Sequence, residues 1–430
     1  VSLSAGGNLT LDTVASDSKT GSKNDYETTL THQGSAIEAG GNVSMQAGED
    51  ILIAGSTVDA NGNVALIADG DVTVTAVQNE YYSYEKDTDR TWYGGKKINE
   101  SESFKTENIA SEINAGGNIT VNSLVNDDGS ISTSTNSGNV VIAGSTLNAD
   151  KNVVLYGADV LVAGVKEVDI SKTSKENTGF LGTGLGGSKN NKASYAEALK
   201  SSELLSDEDL SLLSGGNITI LGSDLVSQGD LNLQAVEDIL ISADQVLEQT
   251  SELTQKGQFF TDFDALYEKT EKSSEVTTLS AESSTVEAAG NVNFEADDIR
   301  IVGSDIGAGN DLNLRTENGD IEILSALETQ QIKETETSLK FGLTTIVGTV
   351  QNLDETYEEL KDNGRLKITV AEGEYESTET QTNEVTNKAS ALMANGDINV
   401  NSGSDILVQG SDLLSAGDVN LIAGGDVAIV

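Results

Sequence analysis

This 430-residue sequence predicts an all-β solenoid, a stack of short-stranded coils from which hairpins or short helices project. Three observations predict it. The first is self-similarity: Gly41-Asn-Val-Ser-Met-Gln-Ala-Gly-Glu-Asp-Ile-Leu-Ile-Ala lies over Gly62-Asn-Val-Ala-Leu-Ile-Ala-Asp-Gly-Asp-Val-Thr-Val-Thr at an offset of 21 residues. Val43 then matches Val64, Met45 matches Leu66, Ile51 matches Val72 and Ile53 matches Val74. A coil that cannot bury its own apolar side chains must stack on its copy to close a core. The second observation is a module found five times, Gly-Ser-(Thr or Asp)-apolar with Asn or Asp seven residues after the serine. It pairs Ser56 with Asn63, Ser145 with Asn152, Ser223 with Asp230, Ser304 with Asp311 and Ser411 with Asp418. The third is composition. Aromatics are only 4% of the chain, proline is absent and glycines number 44, which suits a thin interior of Val, Ile, Leu and Ala beside ladders that proline cannot join.

Each repeat core resolves into apolar-x-apolar strands rather than helix, because the alternation is twofold and the runs are short. Apolar columns run through Val58, Leu147, Leu225, Ile306 and Leu413, through Val64, Val153, Leu231, Leu312 and Val419, and through Leu66, Leu155, Leu233, Leu314 and Leu421. Gly-Asn and Gly-Asp corners suit positive φ, and asparagines stacked at successive corners should bond along the axis. Cores are expected at about residues 1–14, 39–76, 115–164, 215–243, 289–326 and 395–430 of a single domain spanning 1–430. Two coils per module give a stack of roughly 50 Å at ~4.8 Å per coil.

Between the cores lie inserts 15–38, 77–114, 165–214, 244–288 and 327–394, rich in Ser, Thr, Lys, Glu and Asn. Alternation at Leu339, Phe341 and Leu343 points to outward hairpins. Ala193 to Leu213 and Asp354 to Lys361 carry helical spacing, the latter with Gly364 as a C-cap.

Other features narrow the function. The formal charge of −45 disfavours nucleic acid and anionic lipid as partners. The chain has no cysteine, which excludes disulfides and thiolate metal sites. No apolar run reaches the length of a membrane helix. Both ends fall within repeat units, so the sequence is expected to be a segment of a longer polypeptide.

Ala39-Gly-Gly-Asn-Val-Ser-Met-Gln-Ala-Gly-Glu-Asp-Ile-Leu-Ile-Ala-Gly-Ser-Thr-Val-Asp-Ala-Asn-Gly-Asn-Val-Ala-Leu-Ile-Ala resembles the filamentous-haemagglutinin repeat, as do Ala289-Gly-Asn-Val-Asn-Phe and Ala416-Gly-Asp-Val-Asn-Leu-Ile-Ala-Gly-Gly-Asp-Val. Alternation of these modules with Ser/Thr/Lys-rich inserts is similar to the second haemagglutinin-repeat type of large two-partner-secreted exoproteins, surface adhesins and contact-dependent growth-inhibition effectors among them. The resemblance implies a right-handed parallel β-helix, export through an outer-membrane partner barrel and a filament on a Gram-negative cell surface. It leaves two roles open, a stalk with an adhesive surface toward an unknown receptor or glycan, and a conduit segment for toxin delivery. The inserts are longer and more acidic than the family's simple Ser/Gly pattern.

Candidate chemistry is sparse. Gly182-Thr-Gly-Leu-Gly-Gly fits a dinucleotide-loop pattern but lacks the buried strand that should precede it. His32 is the one histidine, in a polar setting without partners for a triad or a metal, and is expected on the surface. Glu49-Asp50, Glu237-Asp238 and Asp297-Asp298 would serve a β-helix polysaccharide enzyme. Their recurrence at one spot of the repeat points instead to architecture. Arg90, Arg300, Arg315 and Arg365 are the only arginines, which disfavours acidic polysaccharide as substrate. The calcium nonapeptide pattern is not matched, so no cofactor or metal is expected and no enzymatic activity. The candidate partner-contact residues are Tyr81, Tyr82, Tyr84, Trp92 and Tyr93, because tyrosine and tryptophan favour interfaces; cross-strand pairing within one hairpin would also explain them.

Overall fold

The computed structural model describes residues 1–92, 94–126, 130–133, 137–179, 186–262, 265–341 and 374–430. The plan of a coil is clearest in the second, where Val43–Ala47, Ile51–Ala54 and Thr57–Ala60 are three strands separated by tight corners. Strands of like position pair in parallel from coil to coil. Three faces result, of eleven, eleven and ten strands among the described residues. Their register reproduces the sequence overlay, with Val43 beside Val64 and Met45 beside Leu66, and Ile51 beside Val72 and Ile53 beside Val74. Ten steps of ~4.8 Å between eleven coils give about 48 Å. This is a parallel β-helix.

Alternation turns every second side chain inward, and the buried Val, Ile, Leu and Ala of all three faces form one continuous apolar axis. Phe294 is the largest fully buried side chain among the described residues. It lies between Leu233 and Leu314 of the coils on either side. Phe294→Ala should therefore cost about 3–5 kcal/mol by the transfer and cavity terms together. Denaturant unfolding of the variant measures this, and a loss below ~1 kcal/mol would mean that the axis is loosely filled there.

Two of the three corners are held by columns of Asn and Asp whose Oδ1 accepts the backbone N–H of the equivalent residue one coil on. One column runs Asn42 to Asn63 (2.9 Å), Asn63 to Asn118 (2.9 Å), Asn118 to Asn152 (3.1 Å) and Asn152 to Asp209 (3.0 Å), and continues to Asp418. The other contains Asp50, Asp71 and Asn139, then Asp159 and Asn217. Each bond satisfies a corner donor that the strand ladders leave over. Where a glycine precedes a later member of a column it makes room for the acceptor of the coil before: a Cβ on Gly62 would fall on Asn42 Oδ1, one on Gly117 on Asn63 Oδ1 and one on Gly138 on Asp71 Oδ1. The positive-φ expectation for these corners is thus corrected, since their glycines have ordinary φ. Side-chain amide stacking is found chiefly on the outer surface of the first face, where Asn232, Asn293, Asn313, Asn399 and Asn420 donate to one another at 2.9–3.0 Å.

The third corner explains the five-fold module. In alternate coils the chain turns directly through Gly55, Gly144, Gly222, Gly303 or Gly410, whose φ values are +50° to +58°. In the coils between, the chain leaves the corner as a long antiparallel pair of strands and re-enters at a buried serine. Ser111, Ser202, Ser284 and Ser390 there donate to the last carbonyls of the second face at 2.7–2.8 Å. The pairs are Val14–Ser22 with Asp25–Gln33, Val77–Arg90 with Lys96–Ile109, Val165–Asn177 with Ser188–Lys200, Asp244–Asp262 with Ala265–Glu282, and Ala326–Phe341 with Glu374–Lys388. Neighbouring pairs also bond one another, making one ten-stranded antiparallel sheet. The geometry is commensurate. Two coils advance about 9.6 Å, and two strands of a sheet are about 9.6 Å wide. One hairpin per two coils tiles without gap or overlap.

No helix occurs among the described residues. The stretch from Ala193 to Leu213, expected to be helical, is instead strand Ser188–Lys200 followed by coil strands Glu203–Ser206 and Leu210–Ser214. Backbone partners on both sides of Ser188–Lys200 outweigh the helical preference of its Ala, Glu, Leu and Lys. Asp354 to Lys361, Gly364 and Leu343 lie outside the described residues. A smaller pair, Ser123–Val125 with Ile131–Thr133, leaves the fourth coil where none was expected.

Candidate functional site on the hairpin sheet

Ladder hydrogen bonding fixes which hairpin side chains meet. Cross-strand pairing sets Tyr26 beside Tyr84, Tyr84 beside Glu102, Glu102 beside Lys172 and Lys172 beside Ala193. The row continues through Ser251 and Glu275 to Lys333. Because side chains alternate across a strand, these eight residues share one face of the sheet. A trough of about 710 Å³ follows the row from Glu102 to Lys333, and the small side chains of Ala193 and Ser251 line its middle.

At one end of the trough stand three tyrosines. The Tyr26 ring lies 5.8 Å from that of Tyr82 and 5.5 Å from that of Tyr84, tilted by 37° and 41°. Lys19 Nζ sits 4.2 Å from the Tyr26 ring centre, a cation–π contact. Tyr82 donates to Glu102 at 2.9 Å and Tyr84 to Glu100 at 2.7 Å. Lys86 closes on Glu100 at 2.9 Å, and Lys172 approaches Glu102 at 3.7 Å.

The five aromatic residues expected to act together are therefore divided. Tyr82 and Tyr84 share the trough face. Tyr81 points to the opposite face and donates to Glu107 at 3.1 Å. Trp92 sits at the hairpin tip, 95% exposed, and Tyr93 lies outside the described residues. Tyr26 was not legible as a member, since it comes from another hairpin and only the pairing of Asp25–Gln33 with Val77–Arg90 brings it in. His32 is half-buried rather than exposed; its backbone N–H donates to Asn79 Oδ1 at 2.7 Å. Asp50 and Asp298 of the acidic pairs serve as corner acceptors. Residues 182–185 of the glycine-rich motif lie outside the described residues.

Lys86 first and Tyr84 second hold the Glu100 carboxyl below its usual range by hydrogen bonding. The same contact with Glu100 raises Tyr84 and Lys86. Burial pushes the Tyr82 phenol up, and hydrogen bonds with Tyr26 and Glu102 add to it. Lys192, then Asn190, lowers Glu252. For Glu197 burial acts upward, but hydrogen bonds from Tyr195, the Leu247 N–H and Lys166 outweigh it. A carboxylate lowered in the folded state contributes stability above its unfolded pKa, near 4.5, and loses it as pH falls through the folded value. The hairpin sheet should accordingly unfold at lower temperature near pH 3.5 than near pH 6.5, and Glu100→Gln should flatten part of that slope. Asp238 at a coil corner is raised, by burial and then by the Asp298 charge, so its contribution runs the other way. Comparing Glu100→Gln with the parent across pH isolates the hairpin contribution, and identical slopes would show that Glu100 supplies none.

Stacked three-strand coils with a continuous apolar axis and a sheet hung from alternate corners define a parallel β-helix repeat protein. The chain belongs to the hemagglutinin repeat family, which it matches over residues 14–99, 93–245 and 265–430. That makes it a repeat region of the filamentous-haemagglutinin type, the family of secreted surface proteins. No curated protein and no solved structure is significantly similar to it.

Proposed function

We propose that this chain is a structural and interaction segment of a secreted Gram-negative surface filament, exported through an outer-membrane partner barrel and serving as stalk and adhesive surface. The observation that carries this reading is a division of labour within the fold. One buried axis runs through every coil, where it stiffens a rod, while a ten-stranded sheet rooted in alternate coils has mainly half-buried and exposed side chains on both faces. A rod needs no such sheet for its own core. Catalysis by the chain finds no support, since the recurring carboxylates at the corners are occupied as hydrogen-bond acceptors.

Beads coated with the purified chain should adhere to epithelial monolayers or to bacterial lawns, and free chain in solution should compete. Beads that settle no better than albumin-coated ones on every surface would overturn the adhesive reading. Trp92→Ala should weaken adhesion if the hairpin tip takes part, because tryptophan is enriched among the few residues that carry most of a contact's binding energy.

A further inference from the structure

The trough differs in charge from the chain as a whole. Within a chain of net charge −45, the trough lining nearly balances its charges, with Glu100, Glu102, Glu252 and Glu275 against Lys172, Lys192 and Lys333. We propose that it binds a linear, uncharged, β-linked polysaccharide; the proposal rests on the reading of this chain as an adhesive surface and names the ligand class.

Four features select that ligand. A straight row crossing the strands advances ~4.8 Å per position, a step comparable to that of one sugar unit in an extended β-linked chain, whereas an α-linked chain coils away from a straight floor. The six strands beneath the trough are each paired on both sides, so no free ladder edge is available for a peptide to join as an added strand. Near-balanced charge leaves little net field to reward an ionic polymer, and the acidic surroundings repel an anionic one. What remains on offer is hydrogen bonding from carboxylate, ammonium and serine groups.

The tyrosines complete the arrangement. Tyr82 and Tyr84 have their hydroxyls committed to Glu102 and Glu100, which locks the rings and orients the two carboxylates. Rigid, amphipathic rings at the end of a polar trough supply stacking area at low entropic cost. The row beside the trough is also partly apolar, with Tyr82, Phe104, Ile170 and Tyr195 opposite one another in turn. A sugar chain presents hydroxyls at its rim and C–H groups on its faces, which matches a charged trough flanked by a partly apolar row.

Cellohexaose is the probe and maltohexaose the control, titrated calorimetrically into the whole chain. Cellohexaose should bind at least about tenfold more tightly than maltohexaose, a difference of about 1.4 kcal/mol. Ala193→Trp, which fills the floor, should weaken binding by about tenfold or more, and Val276→Trp on the opposite face should change it less than about twofold. Circular dichroism and protease resistance confirm that both variants are folded. Equal affinity for the two hexasaccharides, no binding of either, or undiminished binding by folded Ala193→Trp would each overturn the proposal. Bead adhesion is measured on the same proteins: adhesion that persists without cellohexaose binding removes the trough ligand and leaves the adhesive reading standing, whereas cellohexaose binding without adhesion does the reverse.

Discussion

Excising residues 231–311 should leave a shorter but intact protein, whereas excising only 210–230 should disrupt it. The longer deletion joins Asp230 to Leu312, and both Leu231 and Leu312 open a first-face strand. It removes two coils and one hairpin, so Ser188–Lys200 meets Ala326–Phe341 in the direction in which it met Asp244–Asp262. In a one-dimensional stack each coil contacts only its neighbours, and stability changes by one unit's share. The shorter deletion removes a single coil that carries no hairpin. Two hairpins then emerge from consecutive coils, and four strands about 19 Å wide must attach within about 10 Å. Gly222, which lies between the hairpin roots Leu199 and Asp244, is lost with it. The melting temperature of the first product should fall by no more than about 5 °C, and that of the second by more than about 10 °C, with lost hydrogen-exchange protection in 165–200 and 244–282. Equal behaviour of the two products would refute the tiling of hairpins over coil pairs.

The coil stack was legible because its signals are local. Val43 and Val64 stand in like positions of a strand-corner-strand pattern, and a repeat fixes register once the strands stack. The role of the corner glycines was not legible in the same way. Gly62 and Gly55 look alike in sequence, yet the first makes room for Asn42 Oδ1 and the second adopts φ of +53°. Only the neighbouring coil distinguishes crowding from conformation.

The hairpins were legible singly and the sheet they form was not. Alternation at Leu339 and Phe341 announces a strand, but nothing within one insert says that its outer strand will pair with the next insert. That information lies in a match of lengths, two coils against two strands. The trough inherits the difficulty. Tyr82 and Tyr84 are legible together because they cluster along the chain, whereas Tyr26, Ala193 and Ser251 join the same face only through inter-hairpin register. Alternation also put Tyr81 on the far side of a strand from its sequence neighbours.

Gly144→Ala should be among the most damaging single-methyl changes available to this chain. Gly144 turns the fourth coil at φ of +57°. A Cβ there would run into Val165 Cγ2, the root of one hairpin, with Ala76 Cβ, at the root of another, 3.3 Å away. Left-handed backbone in an L-residue costs roughly 1–2 kcal/mol, and forcing a methyl into a packed site costs roughly 1–3 kcal/mol more. The expected loss is thus ~2–5 kcal/mol, read from denaturant midpoints. Gly40→Ala is the control, because no atom lies within 4 Å of its Cβ position; it should be close to neutral. Val165→Ala in the Gly144→Ala background separates the two causes, since it relieves the crowding and leaves the backbone strain. Recovery of about half the loss would assign the remainder to φ, and no loss from Gly144→Ala at all would mean that hairpin roots do not close on the glycine corner.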